Sequence, residues 1–79
     1  MMYVYLISSL PFPHQHYVGI TTNLTQRLSY HNSGQSVHTA KYAPWRIEAA
    51  IAFRSREKAI DFERYLKSHS GHAFAAKHF

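Results

Sequence analysis

Two short runs rich in aromatic and β-branched residues, 3–7 and 16–20, lie on either side of Pro11-Phe12-Pro13. Such residues favour extended backbone. The prolines fix two φ angles and remove two N–H donors, so no ladder runs through them and the chain must turn. The segment reads as an antiparallel hairpin with an irregular loop. Its first strand carries Tyr3, Tyr5 and Ile7 on one face and Val4 and Leu6 on the other. A third strand is read over 45–53, where Trp45, Ile47, Ala49, Ile51 and Phe53 alternate with Arg46, Glu48, Ala50 and Ala52. Three strands are the practical minimum for a free-standing sheet.

The remaining segments read as helices. Asn23 is a good N-cap with Gln26 three residues on, and a helix follows over 24–32 until Gly34 stops it. Leu24, Leu28 and His31 share one stripe of it, with Arg27 and Tyr30 beside them. Residues 35–44 read as a loop with a short helical turn near 37–40. Ser55 caps a further helix running to about His69, with Ala59, Phe62 and Leu66 as its buried stripe and Glu63 on the edge of that stripe. Ser70-Gly71 is read as a break, and 72–78 as a short last helix. The order β-β-α-β-α, with that extra helix, is an α+β fold: a three-stranded antiparallel sheet flanked by helices. With 79 residues and no linker, residues 1–79 are read as one domain.

Composition narrows the function. The absence of cysteine excludes a disulfide framework, a thiolate zinc site and a cysteine nucleophile, and fits a reducing, cytoplasmic setting. No apolar run is long enough for a membrane span, and the apolar start lacks the basic flank and cleavage site of a signal peptide. Lys and Arg number 9 against 4 Asp and Glu, a net charge of +5. A small basic domain is drawn to polyanions, nucleic acid first among them. Any chemistry that needs a carboxylate must use Glu48, Glu57, Asp61 or Glu63.

Each residue that suggests chemistry also has a plain structural reading. Tyr5 and Tyr17 stand on the hairpin strands, where tyrosine most often packs with its hydroxyl toward water. Gly19, at a strand end, marks a bulge or a close approach of backbone, and would let a phosphate come near. Arg27 and His31, one helical turn apart, suit one phosphate together, or are a solvated arginine beside a core-edge histidine. Glu63 suits Mg²⁺, which is held by one or two carboxylates plus substrate phosphates, or simply pairs with Lys67 at i, i+4. His14-x-His16 has no third ligand at a recognisable spacing, and neither a P-loop nor a nucleophile elbow is present.

Taken together these residues resemble the GIY-YIG nuclease superfamily. Tyr3-Val4-Tyr5-Leu6-Ile7 matches the first half-motif and Tyr17-Val18-Gly19 the second. Arg27 and His31 stand where the family's helix arginine and the residue one turn later are expected, and Glu63 where a later helix carries the metal ligand. Lys41-Tyr42-Ala43-Pro44-Trp45 and the segment from Tyr65 to Gly71 resemble small, single-domain bacterial members described as excinuclease-like. The chain departs from the pattern at Tyr3, in place of the first glycine, and in having no asparagine after Glu63.

The resemblance implies Mg²⁺-dependent hydrolysis of phosphodiesters, with Mn²⁺ as a substitute. Tyr5 would be the general base, Tyr17 would orient water or phosphate, and Arg27 would stabilise the scissile phosphate. His31 would support the phosphate or the proton transfers, and Glu63 would hold the metal. Gly19, Lys41 and Lys67 would line the substrate path. DNA is the expected substrate, as in repair, with a protein partner or a second copy of the chain finding the target. The competing reading is a nucleic-acid-binding module with the same fold and little catalysis. A plainer one is a structural protein whose site residues only pack.

Overall fold

The computed structural model describes residues 1–79. Seven elements follow in order: β1 (Met2–Ser9), β2 (His16–Thr21), α1 (Leu24–Asn32), α2 (Val37–Ala40), β3 (Trp45–Phe53), α3 (Arg56–Lys67) and α4 (His69–His78). The strands form one antiparallel sheet in the order β2-β1-β3, so the most apolar strand is central and buried on both faces. Val4 faces Ala59 of α3 and Leu66, one helix turn pair further along, with Phe53, Phe62 and Phe74 closing around them. Tyr5, Ile7 and Trp45 face the other way, against Leu24 and Leu28 of α1 and the loop residues Tyr42 and Ala43.

The alternation read along 45–53 does not hold through the whole strand. Register slips between Leu6 and Ile7 of β1: Leu6 pairs with Ala49, whereas Ile7 pairs with Ile47. Glu48 is thus the extra residue of a bulge. It puts Trp45 and Ile47 on the α1 face, and Ala49, Ile51 and Phe53 on the α3 face, where strict alternation would have kept all five together. The Glu48 carboxylate turns to accept from the Ser8 hydroxyl at 2.6 Å and from Arg46 Nε at 3.0 Å.

The caps explain where helices begin. Asn23 Oδ1 accepts from the Gln26 N–H at 3.0 Å, and Ser55 Oγ accepts from that of Lys58 at 3.2 Å. Gly34 follows α1 with φ of +80°, the left-handed turn that glycine takes without strain. The last helix pair differs from the sequence reading. The break falls at Ser68, which ends α3 and caps α4 through Gly71 N–H at 3.1 Å. Gly71 lies inside α4 and is buried, because a Cβ there would overlap the Tyr65 carbonyl. It is a close-packing glycine of the helix–helix corner, not a breaker.

Two further ties position the site. Asn32, the last residue of α1, donates from Nδ2 to the Trp45 carbonyl at 3.1 Å and accepts from its N–H at 2.6 Å, locking the helix end to β3. Ser9 Oγ donates to the Tyr42 carbonyl at 2.6 Å and accepts from Phe12 N–H at 3.1 Å, which joins the hairpin loop to the segment after α2. No helix is long and apolar enough to cross a membrane.

Candidate active site

Antiparallel pairing sets Tyr5 opposite Gly19, with Tyr17 two residues along the same face of the edge strand. A side chain at position 19 would collide with the Tyr5 phenol, so Gly19 is what lets that ring lie flat across β2. This space is not open to a phosphate, as a strand-end glycine would suggest, because the Tyr5 hydroxyl fills it. Tyr5 is 2% exposed and packs against Tyr17, with ring centroids 6.4 Å apart.

His31 reaches the same point from α1. Its ring lies 5.9 Å from that of Tyr5 and 4.9 Å from that of Tyr17, and Nε2 is 3.0 Å from the Tyr5 hydroxyl. Nδ1 is 2.9 Å from Thr39 Oγ1, and the Thr39 carbonyl in turn accepts from Trp45 Nε1 at 2.9 Å. His31 and Thr39 are both 1% exposed. Thr39 is the partner that sequence reasoning missed. It sits in a four-residue helix at the end of a polar loop, and nothing in its spacing from His31 marks it.

The charges of the pair follow from their surroundings. Burial, then the neighbouring Tyr17, pushes the Tyr5 phenol up to about 12, although Arg27 pulls the other way. Burial, then Arg27, holds the His31 imidazole below its ordinary 6.5. At neutral pH the phenol is protonated and the imidazole neutral. The arrangement that satisfies every proton has Tyr5 O–H donating to Nε2 and Nδ1–H donating to Thr39 Oγ1.

Arg27, half-buried on α1, lies across the Tyr30 ring at 5.6 Å. It borders a polar groove of about 730 Å³ between Thr21, Gln26 and Ser33, along the solvent side of α1. Glu63 comes from α3 on the other side of the edge strand. Its side chain is 17% exposed and its charge reaches the Tyr5 phenol. The Lys67 ammonium is 3.0 Å from its Oε2 and 6.0 Å over the Tyr17 ring. The i, i+4 pair that sequence reasoning weighed against metal binding thus forms at the border of the site itself. Lys41 stays outside this group, exposed and leaning over Tyr42 at 5.2 Å.

Tyr5, Tyr17, Gly19, Arg27, His31 and Glu63 therefore meet around one edge of the sheet. A family model described as the GIY-YIG catalytic domain matches residues 1–76. The chain belongs to the GIY-YIG family. It is 33% identical over 82 aligned positions to the "Structure-specific endonuclease subunit SLX1" of Debaryomyces hansenii, covering 95% of this chain and 22% of that protein. A UPF0213 protein of Streptococcus pneumoniae is 38% identical over 53 positions, 66% of this chain and 54% of that one. The chain thus spans about a fifth and about half of these relatives. The solution NMR structure of a UPF0213 protein from Bacillus halodurans superposes with a TM-score of 0.57 at 30% identity, covering 98% of this chain and 84% of that one.

Proposed function

We propose that the protein is an endonuclease that hydrolyses phosphodiester bonds in DNA, with Tyr5 and His31 as its proton-transfer pair and Glu63 as its metal ligand. The observation that carries this reading is the buried hydrogen-bonded chain Tyr5–His31–Thr39, with the Arg27 charge close enough to act on both the phenol and the imidazole. A buried phenol needs an acceptor for its O–H, and an imidazole held in place by a second buried bond is one that can also take the proton.

Arg27 binds the phosphate and stabilises the charge that builds on its oxygens. Tyr17 walls the phosphate on the β2 side. As the attacking water gives its proton to Tyr5 Oη, the phenolic proton passes to His31 Nε2, and Thr39 keeps the ring aligned. In the resting protein burial keeps the phenol protonated and holds the imidazole below its ordinary 6.5, so the handover is uphill until the attacking water is itself made more acidic.

No group of three or more His, Cys, Asp or Glu residues is placed to hold a metal. The donor set is one carboxylate, which suits Mg²⁺ or Mn²⁺, ions that take their other ligands from water and substrate phosphates, and does not suit tetrahedral zinc. When bound, the ion would lower the phenol's pKa and neutralise the leaving oxygen. Glu63 would hold it by giving up Lys67.

A second reading, a DNA-binding module without catalysis, draws on that same ion pair, since Glu63 already has a cation. The experiment is cleavage of plasmid, linear duplex and single strands in Mg²⁺ or Mn²⁺, with EDTA and Glu63→Gln as controls. Cleavage is expected to fall at least about 100-fold in both controls, with binding retained. Equal cleavage by Glu63→Gln would remove Glu63 from the mechanism. Binding with no cleavage by the wild type would establish the module.

A further inference from the structure

On the far side of the edge strand from Tyr5 lies a cleft of about 740 Å³ between the sheet and α4. Val18 and Ala76 line it with apolar surface, and Phe79, 41% exposed, adds an aromatic face. His14, His16 and His72 add imidazoles to its wall, and Lys67, paired with Glu63, stands at its border. Its one carboxylate, Glu48, is already engaged by Ser8 and Arg46. Two residues of its wall, Tyr17 and Lys67, also belong to the site described above. The cleft and the phosphate site are therefore neighbours, separated by one strand.

We propose that this cleft receives an unpaired nucleotide of the DNA strand next to the scissile phosphate, and so makes the protein selective for single-strand/duplex junctions. This deepens the nuclease reading and rests on it for the position of the phosphate. The two grooves that flank the site differ in kind. The groove along α1 is lined by hydroxyl and amide side chains, suited to following a sugar–phosphate backbone. The cleft joins an apolar surface to a lysine and three imidazoles, the pattern that holds a base by its face and a phosphate by its oxygens. Its volume is in the range that admits a small ligand or a single nucleotide. A base inside a duplex is stacked and paired, so only an unpaired one drops into a concavity.

Anisotropy titrations in EDTA, where no strand is cut, test this at one fixed salt concentration. The probes are a blunt duplex, the same duplex with a single-stranded overhang, and the overhang strand alone. Wild type is expected to bind the overhang duplex about 10-fold more tightly than the blunt one. Ala76→Trp, an exposed position that fills the cleft, is expected to bring the ratio near unity while blunt-duplex binding stays unchanged. His72→Ala with Phe79→Ala strips the wall instead of filling it, and should give the same loss if the tryptophan impairs folding. A wild-type ratio near unity, or an unchanged ratio in both variants, overturns the proposal. So does a wild-type dimer that Ala76→Trp dissociates without altering the ratio, since a second copy would then fill the cleft. The ratio is read without catalysis, so an inactive wild type that keeps it fails as a nuclease while the cleft stands.

Discussion

The two faces of the sheet are held by different physics. Under α3 and α4, Val4, Ala59, Leu66 and a fan of phenylalanines pack by shape and apolar area alone. Under α1 and α2, a chain of hydrogen bonds runs through the core from Tyr5 to His31, Thr39 and Trp45. Apolar packing is non-directional and tolerates small adjustments. A buried polar chain is directional and fixes each ring in one orientation, at the risk of a large penalty if one member is lost. Chemistry that needs a proton at a defined atom belongs on the second face, and the first supplies the platform from which Glu63 reaches the sheet edge.

The largest stability effect should come from the platform. Leu66→Ala empties a site 2% exposed and is expected to cost about 2–5 kcal/mol, read from the urea midpoint. In a chain of 79 residues that is a large share of the total. A loss below about 1 kcal/mol would show that this face is looser than its contacts imply.

The same substitution on the two faces sharpens the contrast. Gly19→Ala meets a side chain, the Tyr5 phenol, which must turn away from His31. It is expected to lower cleavage about 100-fold, with stability down by roughly 1–3 kcal/mol. Gly71→Ala meets backbone at the α3–α4 corner, where nothing can turn aside, and is expected to cost more stability and less of the chemistry per folded molecule. If Gly19→Ala cleaves like wild type, the Tyr5–His31 bond is not part of the reaction.

Alkaline pH should act through the wired face. The unfolded phenol ionises near 10 and the folded one near 12, so between these values the unfolded chain holds fewer protons and stability falls as pH rises. The loss reaches roughly 2–3 kcal/mol by pH 12 and should shrink in Tyr5→Phe. An identical decline in Tyr5→Phe would assign it to other groups.

The sequence was most legible where one residue's local chemistry decides the outcome. The Asn23 and Ser55 caps and Gly34 set helix boundaries through short-range bonds and φ, and they appear where the residues indicate. The stripe of α3 was equally readable, because helical periodicity needs no knowledge of the partner. The bulge at Glu48 was not, since an extra residue in β3 has meaning only against the register of β1. Gly71 misled because its glycine serves a helix approaching from elsewhere, not its own backbone conformation. In the site, Tyr5, Tyr17, Arg27, His31 and Glu63 could be nominated through family spacing. Thr39 could not, because its role exists only once α2 folds over α1. The reason for Gly19 likewise required the ring that crosses it.

The finest test of the contrast is Thr39→Val, which keeps shape and removes one oxygen. It strands the Nδ1–H of His31 in a buried site, an expected cost of about 1–3 kcal/mol, the lower end being the more natural if a water enters. Thr39 touches no reacting atom, so it is a positioning residue and its signature lies in the imidazole. Nitrogen-15 spectra of the wild type should show His31 as the Nδ1–H tautomer, and Thr39→Val should give a mixture. Acid adds a second readout. Above pH 6.5 the imidazole is neutral whether the chain is folded or not, and stability is fully present. Below it the unfolded chain takes the proton first, so stability falls as pH drops, until the folded imidazole is protonated too. That acid slope should shrink in His31→Asn, whereas Leu66→Ala should lower the whole curve and leave the slope in place. If Leu66→Ala altered the slope as much as His31→Asn, the two faces would not be separable and the orientation of the imidazole would depend on packing across the sheet.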